Sequence, residues 1–253
     1  MTRSMAALRS KSGGSCFVIP AFDAAHALAG VLDELAAELG EFDRDRFIVI
    51  DDGSTDRTAA IAEERGVAVL KHGKNRGKGA AIFTGLVEAE RRGFSSVVTV
   101  DADGQHPASS ARAVLEGGGD RDLVLGIRDL VRDGAPKMNR MSNGISNFFI
   151  SYFGGRKLGD TQCGLRRYPV RETLALGAHA HGYAFEAEVL LLAMAHKLPI
   201  LEVPIAVRYP PEEERVTHFD SVKDPARIVA VVVRTLLSLR SSSAESSVQP
   251  DGE

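Results

Sequence analysis

The chain alternates short apolar segments with amphipathic segments of helical length, and this alternation limits the folds it can adopt more than any other feature. The apolar segments are rich in β-branched residues and end at Gly, Pro or Asp, which is typical of strands buried on both faces of a sheet. The predicted strands are Cys16–Ile19, Phe47–Ile50, Val67–Leu70 and Ser96–Val100. Because helices separate them, they are predicted to form βαβ crossovers and an α/β domain with a mostly parallel sheet flanked by helices.

Length and composition fit a single domain. Residues 1–14 are polar and basic without the apolar core of a signal peptide, and residues 241–253 are similar, so we expect a disordered leader and tail around a domain over 15–240. A formal charge of -3 gives no electrostatic argument for nucleic acid. The two cysteines favour a reducing, cytoplasmic compartment over a disulfide framework. No apolar run approaches the ~20 residues needed to span a bilayer.

Two carboxylates, Asp101 and Asp103, directly follow the fourth predicted strand. Side chains two apart in an extended segment point the same way, and open α/β sheets bind ligands at this end of their strands. The two carboxylates repel each other unless a positive charge lies between them. A divalent cation that prefers oxygen ligands is the natural candidate, with Gln105 as a carbonyl ligand. The alternative is a solvated strand end ahead of a helix that begins after Pro107.

Asp51 and Asp52 close the second predicted strand, before a turn at Gly53. Ser54 or Asp56 is predicted to cap the next helix. Two adjacent carboxylates exceed what a turn needs, and a carboxylate at the end of an early strand often binds hydroxyl or N–H donors of a nucleotide. A turn followed by a helix cap remains the alternative.

The Gly-rich segment 73–79 precedes the third predicted helix. It does not match the phosphate loop of nucleoside triphosphatases, because three residues rather than four separate Gly73 from the Gly77-Lys78 pair. Asn75, Arg76 and Lys78 nevertheless lie beside flexible backbone at a helix N-terminus, which favours anions. The alternative is a solvated basic loop.

These segments occur in the order and approximate spacing of a known family. Pro20-Ala21-Phe22, Asp51 to Asp56, Asn75 to Gly79 and Asp101 to Pro107 resemble motifs of the family 2 glycosyltransferases, and look most similar to the dolichyl- and polyprenyl-phosphate sugar transferases. The resemblance extends from Cys16 to Tyr209. It implies a single-domain GT-A fold, which is Rossmann-like, a nucleoside-diphosphate-sugar donor such as a UDP- or GDP-sugar, and inversion at the anomeric carbon.

The resemblance also implies roles for individual residues. Asp103, with Asp101 and Gln105, would hold Mg²⁺ or Mn²⁺ against the diphosphate, and Ala102 would lie near the ribose. The other residues that would bind the nucleotide sugar are Pro20, Ala21, Phe22, Ile50, Asp52, Lys78, Arg128 and Arg208.

The second half of the chain is expected to carry the acceptor chemistry. Arg128 closes a predicted strand, Leu123–Ile127, where the family often has an arginine facing phosphate; a surface arginine is the alternative. Asp160 stands where inverting relatives carry the catalytic base. A hydroxyl acceptor needs such a base, whereas a lipid phosphate, with a second pKa near ~6, is already ionised, and Asp160 would then only orient a ligand. Cys163 is predicted to be a small buried residue and not a nucleophile.

Four later segments carry further predictions. The apolar spacing from Asn139 to Phe153 predicts a helix whose aromatic residues pack in the core, with presentation to a lipid as the alternative. Residues 182–196 predict a helix that begins with two glutamates, beside the acceptor or complementing the helix dipole. Arg215 and His218 are candidates for diphosphate or metal contacts, and a solvated imidazole is the alternative for His218. The apolar helix predicted over 226–239 packs on the sheet, pairs in a homodimer or lies on a membrane.

Together these features predict an inverting, metal-dependent transferase that moves a hexose from a nucleotide sugar to a polyprenyl or dolichyl phosphate, as a peripheral protein at the cytoplasmic face of a membrane. A hydroxyl acceptor on a glycan or lipid is the alternative within the family. A sugar nucleotidyltransferase is a second alternative, although Pro20-Ala21-Phe22-Asp23 lacks the Gly-rich basic loop that usually follows the first strand of such enzymes. A sugar-nucleotide-binding protein without activity is the third.

Overall fold

The computed structural model describes residues 14–39, 44–180, 182, 184–209 and 230–235. The strands are β1 (Ser15–Ala21), β2 (Phe47–Asp51), β3 (Ala68–Lys71), β4 (Ser96–Thr99), β5 (Leu123–Arg128), β6 (Arg166–Pro169) and β7 (Ile200–Ile205). The helices are α1 (Ala25–Leu39), α2 (Thr58–Glu64), α3 (Lys78–Arg92), α4 (Ala108–Glu116), α5 (Lys137–Gly154), α6 (Val170–Ala175) and α7 (Ala184–Ala195). Residues 230–235 are helical, within the predicted helix 226–239. The predicted leader (except Gly14), the predicted tail, Arg215 and His218 lie outside the described residues.

The strands form one sheet of seven in the order β3-β2-β1-β4-β6-β5-β7. Strands β3, β2, β1 and β4 run parallel, and β7 runs parallel to β5. Only β6 among these strands runs antiparallel to its neighbours, β4 and β5. The α/β architecture with a mostly parallel sheet is therefore confirmed, and β7, which contains Pro204, lies at the sheet edge, where a residue without an N–H is tolerated.

Both faces of the sheet are covered by helices. On β1, Phe17 and Ile19 pack with residues of α1, α2 and α4 on one face. Cys16 and Val18, which alternate with them, pack with residues of α3 and α7 on the other. Because both sets are buried, the strand reads as a continuous apolar run and not as an alternating one.

The central position of β6 is not apparent in the sequence, because its first two residues are arginines. Both are buried, and their guanidinium groups donate to main-chain carbonyls. Arg166 donates to the carbonyls of Cys163, Glu186 and Thr161 at 2.8, 3.0 and 2.7 Å. These hydrogen bonds offset the cost of burying the charge and tie the loop before β6 to the start of α7.

The prediction that the aromatic residues of α5 pack in the core is wrong for much of the helix. Ile145, Phe148 and Tyr152 are exposed, whereas the buried face of α5 is mainly polar and includes Ser142 and Asn143. Periodicity identified the apolar face of this helix, but the rest of the protein packs against the opposite face.

Candidate active site

The carboxyl ends of β1, β2 and β4 meet at one edge of the sheet, because these strands are parallel neighbours. The segments that leave this edge are residues 22–24, 52–57 and 100–107, joined by the loop that follows β3. The residues that the sequence predicted for nucleotide and metal binding in the first half of the chain therefore converge. Open α/β sheets bind phosphate-bearing ligands at such an edge.

The turns after β1 and β2 are locked together by hydrogen bonds. The Thr55 N–H donates to Asp23 Oδ1 at 2.7 Å, and the Ala25 N–H at the start of α1 donates to Asp56 Oδ2 at 3.0 Å. Asp56 Oδ1 also accepts the N–H of Thr58, the first residue of α2, at 2.9 Å, although the N-cap residue of this helix is Arg57. One carboxylate thus serves the N-termini of two helices, and the two turns form one rigid wall of the site.

The Asp52 carboxylate holds the Gly-rich loop. Its Oδ1 accepts from His72 Nδ1 at 2.6 Å and from the Arg76 N–H at 2.9 Å, and its Oδ2 accepts the Gly77 N–H at 2.7 Å. The other ring nitrogen of His72 hydrogen-bonds to Thr84 Oγ1 on α3 at 3.0 Å. Asp52 is buried and largely committed to this network, so its predicted contact with a nucleoside stays a prediction, while its hold on the loop is a second role.

Gly53 lies where the turn after β2 touches this loop. Its φ is 80°, and a Cβ at this position would lie 2.5 Å from the Lys74 carbonyl carbon. We predict that Gly53→Ala lowers the free energy of unfolding by about 2 kcal/mol, because it adds left-handed strain to a clash with backbone. Thermal unfolding should show a Tm lower by about 5 °C.

Two glycines provide matched controls for this substitution. Gly134 also has a positive φ, of 75°, but a Cβ there would meet no atom within 4 Å. Gly73 has neither a positive φ nor a neighbour within 4 Å. Gly134→Ala should therefore report the backbone strain alone, and Gly73→Ala should leave the Tm nearly unchanged. A Gly53→Ala protein as stable as the Gly134→Ala protein would contradict the predicted clash.

Lys78, the first residue of α3, lies between two acids. Its Nζ is 2.7 Å from Asp101 Oδ1 and 3.5 Å from Glu186 Oε1 of α7. Burial opposes ionisation of Asp101, but the charge and hydrogen bond of Lys78, with His106 and Arg128, outweigh it, so the pKa of this carboxyl is lowered. Asp101 is therefore a carboxylate at neutral pH. Lys78 occupies its Oδ1 in the absence of any ligand.

Asp103 differs in its electrostatic surroundings. Its side chain is open to solvent on one side, and its Oδ1 accepts the Gln105 N–H at 3.0 Å. The protein atoms packed around it and the charge of Asp101 raise the pKa of Asp103 to about 6. A carboxyl that is hard to ionise beside a second carboxylate fits a site that a divalent cation would complete, because the cation removes the repulsion.

The space beside Asp101 depends on Gly164. A Cβ at this position would lie 2.5 Å from Asp101 Oδ2, so any side chain there would displace the carboxylate or its partner Lys78. Within the described residues, no group of three or more His, Cys, Asp or Glu side chains could hold a metal ion. The protein donors that these residues offer to a cation are therefore the two carboxylates, with Gln105 adjacent in sequence.

Arg128 and Asp160 form a buried ion pair. The guanidinium donates to both carboxylate oxygens, at 2.6 Å from Nε and 3.0 Å from the second nitrogen. The Arg128 and Gln162 N–H groups also donate to this carboxylate, which is fully buried. Burial opposes the charge of Arg128, but Asp160 outweighs it and raises the pKa of the guanidinium. These contacts favour a role for Asp160 in holding Arg128; its predicted role as base stays a prediction.

Cys163 follows in the same loop and is fully buried. Burial raises the pKa of its thiol to about 12, so the sulfur is not a thiolate at neutral pH. The environment agrees with the prediction that Cys163 is a small buried residue.

Arg208 reaches the site with its backbone and not with its guanidinium. Its N–H donates to the Gln105 carbonyl at 2.7 Å. Its guanidinium forms two hydrogen bonds of 2.8 and 2.9 Å with Glu34 of α1. The predicted contact with a diphosphate would require this ion pair to open. Because both partners are partly exposed, the pair is weak enough to do so, and the contact stays a prediction.

The remaining residues predicted for the nucleotide pocket differ in accessibility. Ile50 is fully buried in the core, and Ala21 and Ala102 are also buried. Pro20 and Phe22 are partly exposed at the sheet edge. Ile50 can therefore influence the pocket only through the residues that cover it, whereas Pro20 and Phe22 have surface that a ligand can contact.

Two residues near the site were not selected by the sequence analysis. His72 connects Asp52 to α3, and no local pattern marks it. His106 is buried, and its Nδ1 has no hydrogen-bond partner. Burial lowers the pKa of His106 to about 4 although Asp101 opposes this, so the ring is neutral at physiological pH. Its position within the Asp101 to Pro107 motif could have indicated that His106 lies near the site.

Of the two glutamates predicted at the start of α7, Glu186 faces the site and Glu188 does not. Glu188 Oε2 accepts the N–H groups of His179 and Ala180 at 2.7 and 2.6 Å, so it orders the preceding loop. Glu186 is buried, and its Oε1 accepts no hydrogen bond within 3.5 Å apart from the ion-pair contact with Lys78.

None of the described helices combines the length and the apolar character needed to cross a bilayer.

Comparison with solved structures identifies the fold. Glucosyl-3-phosphoglycerate synthase from Mycobacterium tuberculosis, in complex with Mn²⁺, uridine diphosphate and glucosyl-3-phosphoglycerate, superposes with a TM-score of 0.65. The match covers 90% of this chain and 81% of that chain, at 18% sequence identity. At this identity the likeness concerns the fold alone, and the predicted GT-A fold is confirmed.

Sequence comparison identifies the family. The model of glycosyl transferase family 2 matches residues 16–171. The uncharacterized protein MJ1222 of Methanocaldococcus jannaschii is 32% identical over 202 residues, which cover 76% of this chain and 80% of that protein. The UDP-N-acetylglucosamine–dolichyl-phosphate N-acetylglucosaminyltransferase of Methanococcus voltae is 28% identical over 218 residues, which cover 76% and 84%. The predicted resemblance and the prediction of a glycosyltransferase are confirmed, and the chain belongs to the family 2 glycosyltransferases.

Proposed function

We propose that this enzyme transfers a hexose, with inversion, from a nucleoside-diphosphate sugar to a lipid phosphate and uses Mg²⁺ or Mn²⁺. One observation carries the proposal. Two carboxylates, Asp101 and Asp103, follow β4 with Lys78 beside Asp101, at the sheet edge where the turns predicted to bind the nucleotide converge.

The donor diphosphate is proposed to lie between these carboxylates and the Gly-rich loop. A divalent cation held by Asp101 and Asp103, with Gln105, would offset the charge that grows on the diphosphate as the glycosidic bond breaks. The N-cap residue of α3, Gly77, has no side chain to cap the helix, although Asp52 accepts its N–H, and Lys78, the first residue of the helix, adds positive charge at this place. Lys78 would exchange part of its contact with Asp101 for a phosphate oxygen.

The acceptor is proposed to be a phosphate because of the Arg128–Asp160 pair. The Asp160 carboxylate accepts four hydrogen bonds and is fully buried, so it is poorly placed to take a proton from an acceptor. A phosphate that is already ionised needs no base, and Arg128, held in place by Asp160, would orient it. The relative from Methanococcus voltae is named for a UDP-sugar donor and a dolichyl-phosphate acceptor, which supports both assignments.

A hydroxyl acceptor is the second candidate, and Glu186 is the observation that favours it. Its Oε1 accepts no hydrogen bond from the described residues and lies 3.5 Å from Lys78 Nζ, so this carboxylate is better placed than Asp160 to accept a proton. Transfer assays with a polyprenyl phosphate and with the corresponding polyprenol, with the same donor, distinguish the two acceptor classes.

The donor and metal assignments predict ligand-dependent stabilisation. In the presence of Mn²⁺, one nucleoside diphosphate, with UDP as the first candidate, should raise the Tm by about 5 °C at a concentration near 100 times its Kd. Chelation by EDTA should remove most of this shift, because the cation links the diphosphate to the two carboxylates. Differential scanning fluorimetry with UDP, GDP and dTDP provides the measurement.

Asp103→Asn is the matched control for this experiment. It keeps the side-chain shape but removes a charged metal ligand, so its nucleotide shift should be small and should not respond to EDTA. A wild-type shift of the same size with and without EDTA would contradict the proposed metal site.

A further inference from the structure

Helix α5 presents an apolar face that is exposed in the part of the chain that the structure describes. Five of its exposed side chains follow the spacing of three and four residues that places them on one side of a helix. They are Met138, Met141, Ile145, Phe148 and Tyr152. The two aromatic side chains are the most exposed, at 64% for Phe148 and 70% for Tyr152, and their rings stack with centroids 6.0 Å apart. We call these five residues the α5 stripe.

The opposite face of α5 is fixed to the loop that carries Asp160. The Asn147 side chain accepts the Thr161 N–H at 2.8 Å and donates to the Gly159 carbonyl at 2.7 Å. The Gln162 side chain donates to Ser142 Oγ at 3.1 Å. This polar face holds the helix on the domain, so the α5 stripe is not needed to attach it. The same contacts place α5 directly beside the Arg128–Asp160 pair.

The charged side chains within the α5 segment all have the same sign. Residues 137–159 contain four cationic side chains, Lys137, Arg140, Arg156 and Lys157, and no Asp or Glu. None of the four forms an ion pair with another described residue. Lys137 and Arg140 lie in the first turn of α5, where the helix dipole disfavours cations. Helix stability therefore does not explain their positions.

We propose that the α5 stripe, with the cations at both ends of the helix, docks this enzyme on the surface of an anionic lipid bilayer. Aromatic and aliphatic side chains on one face, flanked by Lys and Arg, match the two layers of such a surface, acyl chains below and anionic headgroups above. The inference rests on the proposed function, since a lipid-phosphate acceptor presents its phosphate at this level. Docking by α5 would bring the bilayer surface to within about one helix diameter, ~10 Å, of the loop that holds Arg128.

A second copy of the chain fits the α5 stripe less well. The spacing of three and four residues also suits a helix pair. An antiparallel pair would set Lys137 and Arg140 of one copy near Arg156 and Lys157 of the other, and a parallel pair would set each cation near its own equivalent. Both arrangements bring like charges together without an acidic partner in the segment.

The test uses co-sedimentation of the full-length protein with vesicles. Wild type should bind vesicles that contain about 30 mol% phosphatidylglycerol in phosphatidylcholine, and bind pure phosphatidylcholine more weakly. The double variant Phe148→Ser, Tyr152→Ser should bind at least about tenfold more weakly, because it removes the aromatic part of the apolar contact. Val87→Ser, an exposed aliphatic residue on α3, is the matched control and should bind as wild type does.

A second pair of variants tests the charge. Lys137→Gln with Lys157→Gln should weaken binding to the anionic vesicles by about fivefold for each charge removed, and should affect binding to neutral vesicles little. Arg121→Gln removes a highly exposed cation outside α5 and should have a smaller effect. If Arg121→Gln weakens vesicle binding as much as each charge removed from α5 does, the attraction is non-specific and the assignment to α5 is overturned.

The outcomes separate the docking surface from the proposed reaction. Binding that is absent in wild type, or unchanged in the Phe148→Ser, Tyr152→Ser variant, overturns the inference whatever the enzyme transfers. Dimers that form in solution and dissociate on the same substitutions would assign the α5 stripe to a second copy and also overturn it. With a water-soluble short-chain prenyl phosphate, the variant should retain wild-type transfer, and it should lose transfer only to acceptor embedded in vesicles. Vesicle binding without transfer to either acceptor would refute the proposed function and leave the docking surface standing.

Discussion

Asp103→Asn is expected to lower kcat/KM for sugar transfer by two to three orders of magnitude. The substitution keeps the backbone hydrogen bond to Gln105 within reach but removes one of the two carboxylates that face the proposed cation. A metal ion contributes several kcal/mol of charge stabilisation in such a transition state, and about 1.4 kcal/mol corresponds to a factor of ten. Initial rates at saturating Mn²⁺, with a radiolabelled nucleotide sugar and a polyprenyl phosphate, provide the measurement.

The stability of the same variant distinguishes lost chemistry from lost folding. Because the pKa of Asp103 is raised in the folded protein, that state binds more protons than the unfolded chain between about pH 4 and pH 6, and the contribution of Asp103 to stability decreases as pH rises through this window. Asparagine carries no charge, so the metal-free Asp103→Asn protein should unfold at neutral pH at the same Tm as wild type or a higher one.

A matched carboxylate completes the comparison. Asp33 lies on α1 and forms an exposed ion pair with Arg65. Asp33→Asn should retain wild-type activity. An Asp103→Asn enzyme with at least a third of wild-type activity would remove the basis for the metal site.

Asp160→Ala is expected to destabilise the fold by about 3–5 kcal/mol and to lower the Tm by about 10 °C. The reason is the guanidinium of Arg128, which would be left buried without its bidentate partner. Chemical denaturation followed by circular dichroism measures the loss. The double variant Arg128→Met, Asp160→Ala removes both charges and should recover most of the stability, because a buried pair contributes little once neither charge needs a partner.

The same two residues form a double-mutant cycle for activity. If Asp160 acts only by holding Arg128, then Arg128→Met and the double variant should lose the same amount of kcat/KM, measured at a temperature where both are folded. If Asp160 is an independent base, the factor by which the double variant loses kcat/KM should be the product of the factors for the two single variants. Such a product, together with measurable transfer to a polyprenol, would contradict the proposed phosphate acceptor and favour a hydroxyl acceptor.

Local sequence patterns predicted much of the fold. The apolar runs that became β1, β2 and β4 need no long-range information, because a strand buried on both faces is apolar along most of its length. β6 was not predicted, because it is not an apolar run. Its two arginines resemble a surface segment, and their burial becomes acceptable through main-chain carbonyls, of which those of Glu186 and Leu115 are distant in sequence.

The sequence also predicted part of the candidate active site. Asp101 and Asp103 were identified because two carboxylates at the end of an apolar strand form a local pattern. The involvement of His72, the hold of Asp52 on the loop 73–77 and the ion pair of Arg208 with Glu34 were not predicted. Each of these contacts joins residues at least 20 positions apart, and no spacing rule connects them.

The sequence by itself determined the mostly parallel α/β sheet, the edge at which charged side chains collect, and the family. These follow from the periods of strand and helix and from the residue types at strand ends, which are properties of neighbours along the chain. Tertiary structure decided what each of these groups contacts. Asp160 pairs with Arg128, Asp52 binds the Gly-rich loop, and the apolar face of α5 is exposed in the described part of the chain. The physical reason is that an amphipathic pattern or a lone carboxylate specifies that a partner is needed, whereas packing alone selects the partner.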